Sequence, residues 1–445
     1  MGRLLKVWVA EFFVLLFYKF VFDLLVLPKY MSVFSYMFRG AEVQFNGDKY
    51  IISSLAFLFF SIILINNKPC RNQSYNAMIR FIYYICIIPM LSVYTYFDSI
   101  DFSLIIYPFI FYVLLILCLK NYGTKDEAIR HTLFDMPNIK GADYILLFIC
   151  GFVAVSIWAA AGYPLVFSFE DAYEQRMQLR AAVLPTIINY IFFLMGNTIF
   201  PYLFAKNIAK KKYVYAVTSM LFGLLLYFVN GMKTWLLLYP LFFGIAFIAK
   251  LPQNNKEKGP IYIGVMMCFL SLLCVLLFDS FNFIDLLSQF GRATIIPPNI
   301  GFTSIDFFRN NELLYLRESI LGSFFDTPYV GGSDFYIIYG LDSTLTSSRA
   351  NNGLWGDAFR NFGFMGIIIY PFLIAKIYSI VEFNCRKTSY SLKLYVLFVI
   401  LWSSINTSFF TWIVTGGVLV LILLEKIEFA NNNASLTFKL RGNIK

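Results

Sequence analysis

Apolar runs close to 20 residues long recur from one end of this chain to the other, and in helical form such a run crosses ~30 Å of hydrocarbon. Twelve can be read, at 5–27, 50–66, 78–95, 102–119, 143–163, 184–205, 213–230, 233–250, 260–279, 358–380, 392–407 and 411–425. The 445 residues are 59% hydrophobic and only 14% charged, where a soluble chain carries about 25% charged residues. A soluble enzyme, a fibre and a disordered chain are excluded. The expected fold class is all-α, a polytopic helical membrane protein with about 12 transmembrane helices. The opening MGRLLKVWVAEFF has no small-residue cleavage site and runs straight into the first apolar stretch, so an uncleaved first helix is expected.

Charge tests that reading, because cytoplasmic loops are enriched in Lys and Arg. With the N-terminus inside, the inner segments hold 24 basic and 8 acidic residues, and the outer segments hold 11 basic and 16 acidic ones. The runs KNIAKKK (206–212) and KLPQNNKEK (250–258) both fall inside. Both termini are therefore expected in the cytoplasm. The net charge of +10 belongs mostly to the inner face and its lipid headgroups, and no nucleic-acid partner is expected. Seven cysteines form no CxxC pair, and the one histidine, His131, falls in the inner loop 120–142. No metal site and no cofactor are expected.

The polar mass suggests three blocks. Residues 1–279 form a bundle of nine helices carrying an outer loop at 163–183, residues 280–357 form a long structured outer loop, and 358–445 form the last three helices with a cytoplasmic tail. The long loop is rich in aromatic residues, among them Phe307, Phe308, Tyr315 and Phe324, so it is expected to pack against the bundle. Within it, 312–325 reads as a helix, with Leu313, Leu316, Ile320 and Phe324 at 3–4 spacing. In the shorter loop, 170–182 reads as another, acidic early and basic late.

The basic residues differ between faces: 18 Lys and 6 Arg inside, 3 Lys and 8 Arg outside. A guanidinium offers a planar fork that grips phosphate bidentately and stays charged. Arg176 and Arg180 lie one helical turn apart, Arg292 and Arg349 sit in the Gly/Pro/Asn/Ser contexts GRATIIPPN and SSRANNGLWGD, and Arg360 lies at the entry to the tenth helix. Lys233 follows a glycine turn, Asn230-Gly231-Met232-Lys233-Thr234, at the outer boundary. These six are the candidate ligands of a pyrophosphate. Arg309 and Arg317 instead have acidic neighbours in Asp306, Glu312 and Glu318, which fits surface ion pairs. The first helix holds Glu11, Lys19 and Asp23; Lys19 and Asp23 have the i, i+4 spacing of a bridge, and Glu11 is expected to reach the headgroups.

A dozen spans, a long late outer loop, arginines in two outer loops, the NGMKT turn and the run SSRANNGLWGDAFRNFGFMGIIIYP (347–371) together resemble the Wzy-type O-antigen polymerases. The resemblance implies a GT-C-like, metal-independent glycosyltransferase in the bacterial inner membrane, with its active site facing the periplasm. Its substrate would be an undecaprenyl-pyrophosphate-linked glycan, its essential loop arginines Arg176, Arg180, Arg292 and Arg349, and its pathway partners a flippase and a chain-length regulator. An acceptor hydroxyl needs a base or an orienting carboxylate, for which Asp357, Asp334, Asp342, Asp326 and Glu174 are candidates. Two alternatives stand beside it. An O-antigen ligase would place a histidine in its long outer loop, and a lipid-linked oligosaccharide flippase or other transporter would show internal repeats.

Overall fold

The computed structural model describes residues 2–33, 44–66, 73–98, 100–124, 141–162, 186–250, 258–276, 284–317, 353–385, 388–405 and 407–426. Among these the secondary structure is helical, with no strand. The helices are α1 (Gly2–Val21), α2 (Leu27–Val33), α3 (Gly47–Asn66), α4 (Gln73–Ile82), α5 (Ile88–Tyr96), α6 (Ile106–Thr124), α7 (Ala142–Ala160), α8 (Thr186–Leu194) and α9 (Phe200–Ala209). They continue as α10 (Tyr213–Asn230), α11 (Lys233–Lys250), α12 (Gly259–Leu276), α13 (Ile284–Thr294), α14 (Ile296–Arg309), α15 (Gly353–Asn384), α16 (Tyr390–Ile405) and α17 (Phe409–Val414).

Where the structure describes them, the twelve apolar runs are largely helical, the last interrupted at 415–417. Nine helical stretches among the described residues are long and apolar enough to cross a membrane, and Thr234–Lys250 and Tyr390–Ile405 are shorter apolar helices. The first run lies on α1 and its continuation, which carry Glu11, Lys19 and Asp23.

Three helical runs contain a five-residue π segment: Phe22–Val26 between α1 and α2, Tyr83–Ile87 between α4 and α5, and Met195–Ile199 between α8 and α9. In each case the second residue after the segment is proline: Pro28, Pro89 and Pro201. Proline lacks an N–H, and its ring collides with the carbonyl four residues back. That carbonyl belongs to the middle residue of the π segment each time. The wider turn moves it aside, so the helix passes the proline without breaking.

The chain contacts group into two compact units that do not follow the three sequence blocks. One comprises Met1–Asp126, Leu251–Ile377 and Leu401–Thr411; the other comprises Glu127–Lys250, Tyr378–Ile400 and Trp412–Lys445. In the first unit the stretch Gln73–Tyr96 is wholly buried, and α1 packs along α3 and α12. In the second, α9 and α10 form an antiparallel pair against which α7 packs. Between apolar helices in lipid no hydrophobic force drives association, so close backbone approach matters. Gly196 accordingly lies under the Trp235 ring, where an added Cβ would come within 2.4 Å of Cε2.

The first part of the segment 280–357 is not an open loop. α13 runs into α14 through a bend at Ile295, whose N–H still bonds the Gly291 carbonyl at 2.7 Å, with α13 against α2 and α12 and α14 against α5. Phe302, Phe307 and Phe308 are buried, whereas Tyr315 is exposed and Phe324 lies outside the described residues. At its bend, Gly291 sits against Tyr30, where an added Cβ would lie 2.0 Å from Cε2. Gly291→Val is therefore expected to lower stability by ~1–3 kcal/mol, read as an earlier thermal unfolding midpoint of the detergent-purified protein.

The helix expected over 312–325 is not formed where the structure describes it. Residues 312–317 run as an irregular segment, and Tyr315 and Leu316 have φ of 46° and 69°. The 3–4 spacing of leucines misled because the buried residue is Leu314, pinned by its N–H to the carbonyl of Arg360 at 2.9 Å.

Candidate functional site

α15 begins at Gly353, whose φ of 63° is open to glycine and strained for other residues. One turn on, Asp357 is 2% exposed and meets donors on both carboxylate oxygens. Its Oδ1 accepts from Arg360 Nε at 3.0 Å, Arg360 Nη2 at 2.9 Å and Asn361 Nδ2 at 3.1 Å. Its Oδ2 accepts from the backbone N–H of Phe409, the first residue of α17, at 2.9 Å. The i, i+3 spacing puts Asp357 and Arg360 on one helix face, and the extra donors offset the cost of burying the pair.

Both sequence candidates here are engaged in one cluster. Asp357 anchors the start of α17, with three donor contacts on Oδ1 and one on Oδ2. Arg360 gives Nε and Nη2 to that carboxylate. The same cluster reaches the irregular segment, since Asn361 Oδ1 accepts from the N–H of Leu316 at 2.8 Å.

Arg292 behaves differently. It lies in the last turn of α13, between the buried residues Gly291, Ala293 and Thr294, and its own side chain is exposed. Among arginines with described side chains, Arg80 pairs with Glu11, Arg309 with Asp101, Arg317 with Glu312 and Arg360 with Asp357. Arg292 alone of that set carries no ion pair. The backbone that carries it is held: Thr294 Oγ1 bonds the carbonyl of Phe290 at 2.7 Å, and Pro297 and Pro298 open α14. An uncommitted fork on a packed helix is open to an anionic ligand.

Arg309 and Arg317 take the ion pairs expected of them, with Arg309 also donating to Ser103 Oγ at 3.1 Å. The Ser103 amide and hydroxyl hold the Asp101 carboxyl below the usual carboxylate range, and Arg309 adds to this. A depressed carboxylate stabilises the fold above its unfolded pKa and loses that contribution only as pH falls through the folded value. This tether therefore persists at neutral pH.

In the second unit, Gly231 (φ 65°) closes α10 and Lys233 is the first residue of α11, so the glycine turn read at 230–234 is present. Trp235 Nε1 donates to Asn197 Oδ1 in the π segment at 2.6 Å, fixing that end of α11. Arg176, Arg180, Glu174, Asp326, Asp334, Asp342, Arg349 and His131 lie outside the described residues.

Glu11, Lys19 and Asp23 of the first helix are all committed. Lys19 bridges Asp23 at 2.7 Å as its spacing suggested, and Asp23 also accepts from the hydroxyl of Ser92. Glu11 does not reach outward. It is 3% exposed and pairs with Arg80 Nε at 2.8 Å, a partner 69 residues away that local spacing does not reveal. Lys49 was also missed. It is buried at the start of α3 and donates to the carbonyls of Phe97 and Asp98, both at 2.9 Å. No family model, no curated protein and no solved structure matches the chain.

Proposed function

We propose that this chain polymerises undecaprenyl-pyrophosphate-linked oligosaccharide repeat units, moving the growing glycan onto the non-reducing end of a new lipid-linked unit. The observation that carries the reading is Arg292, an exposed guanidinium on a packed, bent helix, while the other arginines with described side chains are each held by a carboxylate. Its setting in a helical membrane protein suits a substrate whose leaving group is a diphosphate at a bilayer surface.

The chemistry asks little more. The anomeric C–O bond to the pyrophosphate breaks as an acceptor hydroxyl bonds to the same carbon. The electron pair goes to the diphosphate, whose growing charge a preorganised guanidinium stabilises. The acceptor proton passes to a base, for which Asp334, Asp342, Asp326 and Glu174 are the candidates beside Asp357, whose oxygens are engaged in anchoring. Arg176, Arg180, Lys233 and Arg349 remain sequence candidates for the same anion chemistry. On this reading the chain sits in a bacterial inner membrane with the site facing the periplasm, and a flippase and a chain-length regulator work beside it.

The lipopolysaccharide banding pattern of a strain lacking the chain tests this. A single core-plus-one-repeat band, with the ladder restored by complementation, is the expected result. Loss of that band as well would point to a ligase or a flippase and overturn the proposal.

A further inference from the structure

The segment that follows α14 makes a turn its residues do not favour. The N–H of Arg317 bonds the carbonyl of Leu314 at 3.0 Å, and both central residues, Tyr315 and Leu316, have positive φ. That is the pattern of a type I′ turn, which Gly, Asn and Asp accept easily and a tyrosine–leucine pair does not. It persists because α15 holds it: Leu314 bonds the Arg360 carbonyl, and Leu316 bonds the Asn361 side chain. The effect is to stand one ring out of the surface. Tyr315 is 47% exposed.

Among the described residues, those near the ring in sequence are polar and their charges are matched. Glu312 pairs with Arg317 at 3.2 Å, and Arg309 lies between Asp101 at 3.5 Å and Asp306 at 4.0 Å. Asn310 and Asn311 are exposed in the same segment. Among these residues both arginines are committed to carboxylates, which does not favour a phosphate. Such a segment suits a neutral ligand with an apolar face and many hydroxyls: the face stacks on the ring, while the carboxylates and guanidiniums meet hydroxyl pairs. A pyranose ring has that chemistry.

We infer that Tyr315, held out on the strained turn Leu314–Arg317, is the stacking platform of a sugar subsite for the glycan portion of the substrate. The inference rests on the proposed polymerase reading and specifies where the saccharide, as opposed to the diphosphate, is held. Local strain that the surroundings enforce is found where a side chain must be presented, and a ring kept rigid loses little freedom when it stacks.

The test uses the full chain in lipid nanodiscs, with lipid-linked repeat units from the host as substrate. The saccharide released from the same lipid serves as probe for binding, followed by saturation-transfer nuclear magnetic resonance. Tyr315→Asn places in the turn a residue its conformation favours while removing the ring. It is expected to unfold no earlier than wild type, yet to bind the saccharide about 5- to 10-fold more weakly and raise KM by a similar factor, with kcat nearly unchanged. Tyr315→Phe should match wild type. If Tyr315→Asn binds and turns over like wild type while Arg292→Ala is inactive, the subsite is overturned and the polymerase reading stands. Should wild type make no polymer but bind the saccharide through Tyr315, the polymerase reading falls and the subsite remains. No binding by wild type overturns the subsite outright.

Discussion

Arg292→Ala is expected to collapse the polysaccharide ladder to a single repeat while the protein still inserts and folds. The two parts of that result have separate causes. The side chain is exposed and bonds no described residue, so truncating it opens no cavity and strands no partner. Its buried neighbours, Gly291, Ala293 and Thr294, keep the end of α13 packed. Losing one preorganised donor to a charge that develops in the transition state costs about 10²–10³ in rate. Arg292→Lys keeps the charge without the fork and should fall between the two. Gel banding gives the activity, and thermal unfolding of the purified variant gives the fold. A ladder of normal length from Arg292→Ala would remove this residue from the site.

Asp357→Ala should act the other way, on stability first. It deletes an acceptor of four hydrogen bonds and leaves the Arg360 guanidinium, 10% accessible, without its carboxylate. Breaking a buried pair from one side costs ~3–5 kcal/mol, a large share of the ~5–15 kcal/mol that holds a typical domain folded. The N–H of Phe409 loses its acceptor at the same time. Low yield and an early unfolding transition are expected. The double variant Asp357→Ala, Arg360→Ala should be less destabilised than the two single effects added together, because their partners are shared. A well-folded, inactive Asp357→Ala would instead restore this residue as a base.

These two residues show where a sequence stops being legible. Arg292 and Arg360 both sit in glycine- and asparagine-rich stretches and looked alike as phosphate ligands. The difference was available only as the i, i+3 carboxylate of Asp357, which is absent around Arg292. Long apolar runs need no partner to be recognised, since the bilayer imposes their length, and so the long apolar helices were readable, whereas the shorter α13 and α14 were not. Lys19 and Asp23 were readable for a similar reason, being one turn apart on one helix. Glu11 and Arg80 meet only through the tertiary fold, across 69 residues of sequence, and nothing near either residue announces the other. The π segments had a local signal after all in Pro28, Pro89 and Pro201, each lying inside or just beyond an apolar run that does not break there. The irregular turn at Tyr315 had none. Leu313 and Leu316 imitate a helical stripe, and the bonds that forbid the helix come from Arg360 and Asn361, more than 40 residues on.

The most direct test of the central claim is whether the purified chain, reconstituted in nanodiscs with undecaprenyl-pyrophosphate-linked repeat units and no other protein, lengthens the glycan. The account predicts products of two and more repeats still attached to one lipid, release of free undecaprenyl pyrophosphate in step with each added unit, and neither from Arg292→Ala. Repeat units that remain single with folded wild-type protein, and no pyrophosphate carrier released, would contradict it.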